Sequence, residues 1–184
     1  MIVFISGGAR SGKSQFAESL AYDCFDESRQ QGSEGKFIYV ATARHTDHEM
    51  TERINRHRHE RDEAWQTVEE PLDLLAAVMT AGNGDVILID CLTVWLNNRL
   101  FDGSRNGEDV LLHELREIML QADEKNLQLI FVSNDVNEGV PIDNELVTSY
   151  IKTLEHVHRF VVSKADRVYQ VVASIPIQWK GEGT

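Results

Sequence analysis

Eight residues near the start of the chain, Gly7, Gly8, Ala9, Arg10, Ser11, Gly12, Lys13 and Ser14, have the spacing G-x-x-x-x-G-K-S. Glycines in such a loop let backbone N–H groups close around a polyphosphate, and the positive end of the following helix faces the same point. Lys13 then reaches the terminal phosphates, while the Ser14 hydroxyl offers itself to a magnesium ion. The bland alternative is a glycine-rich turn with a helix-capping serine. The apolar run Ile2-Val3-Phe4-Ile5 just before it favours the phosphate reading, because the loop works between a buried strand and a helix.

Two further strand ends carry candidate ligands. Asp90 closes the run Val86-Ile87-Leu88-Ile89, where phosphate-loop proteins place a carboxylate that holds magnesium. Aspartate is also an ordinary turn residue at such a position. Ala41, Thr42 and Ala43 close the run Phe37-Ile38-Tyr39-Val40. Their small side chains either leave room for a nucleotide or simply pack closely.

The basic run from Arg53 to Arg61 offers different chemistry. On a helix, Arg53, His57 and Arg61 fall at i, i+4 and i+8 on one face. Flanking guanidinium groups disfavour the imidazolium, so His57 stays neutral and nucleophilic beside an anion-binding surface. A solvated, charge-rich helix face explains the same run without any chemistry. A metal site is a third reading, weakened because His57 and His59 point to different sides of a helix. His45 and His48 lack a suitable carboxylate arrangement.

Strands and helices alternate around these residues. Lys13 to Asp23 puts Phe16, Ala17, Leu20 and Ala21 on one helical face, and Glu27 to Gly35 reads as a polar stretch. Thr46 with Glu49 three residues on has a capping-box pattern. Leu72 to Met79 and Val110 to Lys125 read as helices, as does the longer stretch from Asn144 to Lys164. Asp102 to Asn106 reads as a polar loop. Leu129-Ile130-Phe131-Val132 and Val168 to Val172 add strands, and Ile175 to Trp179 suits an edge strand, where Pro176 is tolerated. No repeat or Pro/Gly/Ser-rich linker divides the chain, so residues 1–184 read as one α/β domain. Its sheet is mostly parallel, with helices on both faces and an edge hairpin at the C-terminus.

Composition narrows the function. A chain of 184 residues with 42% hydrophobic residues suits a globular domain with a substantial core. The net charge of −12 argues against a general nucleic-acid or anionic-membrane binder. Phosphate binding must then come from a local pocket. Cys24 and Cys91 suggest neither a disulfide framework nor a zinc site. No apolar run approaches a membrane span and no signal peptide is apparent, so a cytoplasmic protein is expected.

The loop, Tyr39-Val40-Ala41-Thr42-Ala43 and Asp47-His48-Glu49-Met50 leading to Arg53-Ile54 and His57 together resemble the bifunctional cobinamide kinase/cobinamide-phosphate guanylyltransferase family of cobalamin biosynthesis. Trp65, Thr67, Glu69 and Pro71 extend the likeness. So do Asp90-Cys91-Leu92-Thr93, Trp95-Leu96, Asn98, Val132-Ser133-Asn134 and Ala165-Asp166. The run R-I-x-x-H-x-x-x-R followed by W-x-T-x-E is far more restrictive than the loop alone.

The resemblance implies a RecA-like P-loop fold, a trimer and two reactions on a corrinoid. A nucleoside triphosphate, GTP or ATP with Mg²⁺, phosphorylates the aminopropanol hydroxyl of adenosylcobinamide. GTP then guanylylates a histidine, here His57, and the GMP passes to adenosylcobinamide phosphate. Arg58, His59, Glu60 and Arg61 map to the adjoining nucleotide-binding run, Glu69 to the guanine-side acid and Asp90 to the strand-end carboxylate. Without the family, Glu69 reads equally as an exposed loop carboxylate beside Glu70.

Two segments depart from the family pattern. The family continues Asn-Glu-Val-Gly-x-Gly after the fourth strand, whereas this chain has Asn134-Asp135-Val136-Asn137-Glu138-Gly139 before Pro141. A Gly-x-x-Asn-Gln stretch is replaced around Glu155, His156, His158 and Arg159. The expected consequence lies on the corrinoid side or at subunit contacts. The alternatives are an enzyme with one activity or another acceptor, and a non-catalytic GTP-binding regulatory protein.

Overall fold

The computed structural model describes residues 1–30, 32, 35–44, 64–102, 107–135 and 144–181. Seven strands form one sheet in the order β3-β2-β4-β5-β1-β6-β7. They are β1 (Ile2–Gly7), β2 (Phe37–Ala41), β3 (Trp65–Glu69), β4 (Val86–Asp90), β5 (Gln128–Asn134), β6 (Arg167–Val172) and β7 (Ile175–Lys180). All neighbours pair in parallel except β6 with β7, which form the C-terminal antiparallel hairpin. The five helices among the described residues are α1 (Lys13–Gln30), α2 (Leu74–Met79), α3 (Leu92–Phe101), α4 (Glu108–Glu124) and α5 (Glu145–Lys164).

Successive residues of a strand point to opposite faces, and both faces of this sheet are covered. On one face Val3, Ile5, Val86, Leu88, Ile130 and Val132 pack with Ala17, Leu20 and Ala21 of α1. On the other, Phe4, Ile87, Ile89, Leu129 and Phe131 pack with Trp95 and Leu96 of α3, Leu115 of α4 and Val157 of α5. Burial on both sides explains why β1, β4 and β5 read as unbroken apolar runs. Each fully buried Val, Leu or Ile contributes about 1.5–3 kcal/mol.

Three elements differ from the sequence expectation. α1 continues to Gln30, into the stretch read as polar, since its outer face needs no apolar residues. β3 occupies Trp65–Glu69, half buried at the sheet's end, so only Trp65 is deeply covered. α3 fills the segment between Cys91 and Asp102, for which no element is expected, and Cys91 offers no side-chain cap to announce it. The expected capping box at Thr46 and most of the loop after Asp102 lie outside the described residues.

Candidate nucleotide-binding site

β1 delivers the chain to the sheet's carboxyl edge, the usual ligand side of an open α/β sheet. The loop closes there through a Ser11 N–H bond to the Gly8 carbonyl at 3.2 Å. Lys13 Nζ reaches back to the same carbonyl at 3.1 Å, so the ammonium lies across the cradle. Gly12 has φ +88°, and a Cβ there would meet Ser174 Oγ at 2.7 Å. A Cβ at Gly7 would lie 2.6 Å from the Val171 carbonyl. Both glycines are therefore required by the hairpin packed behind the loop. Ser174 N–H donates to the Ser11 carbonyl at 2.7 Å, and Asp135 N–H donates to that of Gly7 at 3.1 Å. Ala9 and Arg10 are exposed, and Arg10 has φ +59°. Ser11 Oγ is buried with no hydrogen-bond partner among the described residues.

Asp90 stands at the end of β4, two strands from β1. Its Oδ2 accepts hydrogen bonds from Ser14 Oγ at 3.0 Å and from Tyr39 OH at 2.8 Å. Hydroxyl and carboxylate oxygens converging at one point are the hard donor set that suits Mg²⁺. Tyr39 is a contributor that sequence reasoning missed, because its run reads only as a buried strand.

Of the trio closing β2, Ala41 and Ala43 are partly buried, and Thr42 is wholly buried. Thr42 Oγ1 donates to the Cys91 carbonyl at 2.9 Å and accepts from Cys91 N–H at 2.8 Å. Its carbonyl accepts from Asn98 Nδ2 at 2.8 Å. The threonine side chain is thus spent on joining β2 to the start of α3, and Asn98 serves the same joint. Burial, reinforced by the nearby Asp90 charge, pushes the Cys91 thiol up to about 12. Cys91 therefore stays protonated and is no nucleophile.

Glu69 ends β3 directly opposite Ala41, which in turn sits opposite Asp90. The neighbouring Glu70 carboxylate is occupied by the Leu72 and Asp73 N–H groups, both at 2.9 Å. Glu69 is the exposed member of the pair. His45, His48, Arg53, His57, Arg58, His59, Glu60 and Arg61 lie outside the described residues, as do Val136, Asn137, Glu138, Gly139 and Pro141.

The remaining departures from the family pattern fall in different surroundings. Asp135 Oδ2 accepts from Gln170 Nε2 at 3.1 Å, beside the loop. His156 Nδ1 pairs with Glu108 at 2.7 Å, and Arg159 faces Glu155 at 4.0 Å on the surface. Only His158 turns inward, with Nε2 2.7 Å from Ser133 Oγ. Among the described residues no cluster of His, Cys, Asp and Glu is arranged to hold a metal. No helix among them is long and apolar enough to cross a membrane.

Comparison with known proteins agrees with this geometry. The family model for cobinamide kinase / cobinamide phosphate guanyltransferase matches residues 3–179. The bifunctional adenosylcobalamin biosynthesis protein CobP of Pseudomonas aeruginosa is 39% identical over 97% of this chain and 96% of its own length. The bifunctional adenosylcobalamin biosynthesis protein CobU of Escherichia coli is 30% identical over 98% of this chain and all of its own length. A match of this extent shows that the chain is an enzyme of the cobinamide kinase / cobinamide phosphate guanyltransferase family.

Proposed function

We propose that this chain, acting as one domain over residues 1–184, phosphorylates adenosylcobinamide and then converts the product to adenosylcobinamide-GDP. In the first reaction the corrinoid hydroxyl oxygen bonds to the γ-phosphorus of GTP or ATP. The bond to the nucleoside diphosphate breaks, and the hydroxyl proton is released. In the second, a neutral His57 nitrogen bonds to the α-phosphorus of GTP and pyrophosphate leaves. A phosphate oxygen of adenosylcobinamide phosphate then takes the GMP as the P–N bond breaks. Splitting the transfer in two replaces one difficult displacement by two easier ones.

The observation that carries this reading is the hydrogen bond from Ser14 to Asp90 at the mouth of the Gly7–Ser14 cradle. It joins the two oxygens that would hold Mg²⁺, which supplies charge neutralisation on the phosphate oxygens. Lys13 adds a positive charge fixed across the loop, and the Ser11 hydroxyl, without a partner among the described residues, is a donor suited to an anion. Arg58 and Arg61 follow His57 in sequence and suit the leaving pyrophosphate. Glu69, exposed at the same sheet edge, suits the N1–H and 2-amino group of guanine, which adenine lacks. The trimer implied by the resemblance belongs to this reading, and sedimentation velocity tests it.

Incubation with α-labelled GTP tests the transferase directly. The expected result is acid-labile label on the protein that His57→Ala abolishes and adenosylcobinamide phosphate discharges. Tight GTP binding without any label would sink this account in favour of a regulatory protein. Label without phosphorylation of adenosylcobinamide would leave an enzyme with one activity.

A further inference from the structure

α5 turns one polar side chain under the carboxyl edge of the sheet. His158 Nε2 lies 2.7 Å from Ser133 Oγ, which lies 2.9 Å from Thr93 Oγ1. Thr93 Oγ1 also accepts from Asn134 N–H at 2.8 Å. Ser133 is wholly buried and Thr93 nearly so, and the imidazole packs edge-on against Phe4 with centroids 5.1 Å apart. Each hydroxyl has one proton to donate. Thr93 receives the Asn134 proton, and in one arrangement its own goes to Ser133, whose proton in turn goes to His158. The series is satisfied when Nε2 carries a lone pair, as in the neutral ring protonated on Nδ1. A protonated ring would donate to Ser133 and reverse the series. Thr93 would then receive two protons and turn its own away from the series, toward Cys91.

The strand end held by this series touches both halves of the nucleotide site. Asp135 N–H is bonded to Gly7, the first residue of the phosphate loop, at 3.1 Å. Asn134 Nδ2 lies 3.8 Å from Cys91 Sγ, adjacent to Asp90. We propose that His158 is a positioning residue for phosphoryl transfer, a neutral acceptor that orients Ser133 and Thr93 and so fixes Asn134 and Asp135 against the loop. Burial lowers its pKa from the usual 6.5 and favours the acceptor form. The charges acting against this are Asp135 at the end of β5 and Glu155 on α5, and β1 presents only the apolar Phe4 ring. Protonation at acid pH removes the acceptor, so the site loosens as pH falls.

The catalytic consequence rests on the kinase reading above; the hydrogen-bond series does not. The test therefore has two readouts on the full chain, amide exchange at Asn134 and steady-state phosphorylation of adenosylcobinamide. His158→Ala removes the acceptor, while His158→Gln places an amide oxygen near the Nε2 position, an acceptor that does not titrate. In the alanine variant Asn134 exchange should rise about tenfold, the scale of one lost hydrogen bond. Its kcat should fall by a similar factor, with KM for nucleotide within about twofold. The glutamine variant should restore both readouts at about pH 8 and lack the wild-type decline in kcat toward about pH 5.5. Unchanged Asn134 exchange in folded His158→Ala, or an undiminished acid decline in His158→Gln, overturns the proposal. An inactive wild-type protein would condemn the kinase reading instead, and the exchange result would still judge the series.

Discussion

Ser14 and Asp90, 76 residues apart in sequence, meet through a 3.0 Å hydrogen bond from the serine hydroxyl to the aspartate Oδ2. Tyr39 donates to the same oxygen at 2.8 Å from the neighbouring strand. The carboxylate is therefore aimed at the first turn of α1. Asp90→Asn keeps the size and an acceptor oxygen but removes the charge. Phosphoryl transfer with Mg²⁺ should fall about a hundredfold or more. Nucleotide affinity in excess EDTA should barely change. An Asp90→Asn enzyme retaining most of its Mg²⁺-dependent kcat would remove Asp90 from metal binding.

The loop's shape depends on the hairpin behind it, which distinguishes its glycines from one another. Gly12→Ala combines φ +88° with a Cβ placed 2.7 Å from Ser174 Oγ. That change should destabilise the fold by about 1–3 kcal/mol and weaken nucleotide binding. At Gly8 an added Cβ meets nothing within 4 Å. Gly8→Ala should stay within about 0.5 kcal/mol of the native stability. Thermal melts of the two variants make the comparison, and equal losses would mean the hairpin does not shape the loop.

Much of this arrangement could be read from residue order, and the parts that escaped share a physical cause. β4 and β5 are covered on both faces, so Val86–Ile89 and Leu129–Val132 announce themselves as apolar runs. β3 lies at the sheet's end and buries only Trp65 deeply, which leaves Trp65–Glu69 without a strand signal. α3 follows Cys91 with no side-chain cap, and its apolar residues crowd together beneath the sheet edge. The phosphate loop and Asp90 were legible because each sits at the end of an apolar run. The contact between them was expected only through the shared metal. Thr42, Asn98, Ser133 and His158 act through partners 25 to 56 residues away, and no local pattern encodes such pairings.

Arg99 and Glu114 join α3 to α4 beneath the loop-bearing edge. Arg99 pairs with the Glu114 carboxylate and also donates to the Leu72 carbonyl at 2.9 Å. The two side chains are only 12% and 11% exposed. Burial raises the Glu114 pKa from 4.5 despite the opposing pull of Arg99. Removing the cation leaves a carboxylate with one oxygen that has no hydrogen-bond partner among the described residues, so Arg99→Ala should cost about 3 kcal/mol near neutral pH. The sign of its pH dependence follows from the raised pKa. Favourable proton uptake by folded Glu114 is fully present below 4.5 and is lost as pH rises through the folded value. The variant should therefore regain part of its deficit between about pH 7.5 and about pH 5, as Glu114 becomes neutral. Urea denaturation of Arg99→Ala and Arg99→Ala/Glu114→Gln at both pH values is decisive. The double variant should lose the pH dependence and recover stability, because no uncompensated charge remains buried. A deficit in Arg99→Ala that stays constant across this range would mean that lost packing, not the stranded carboxylate, sets the cost.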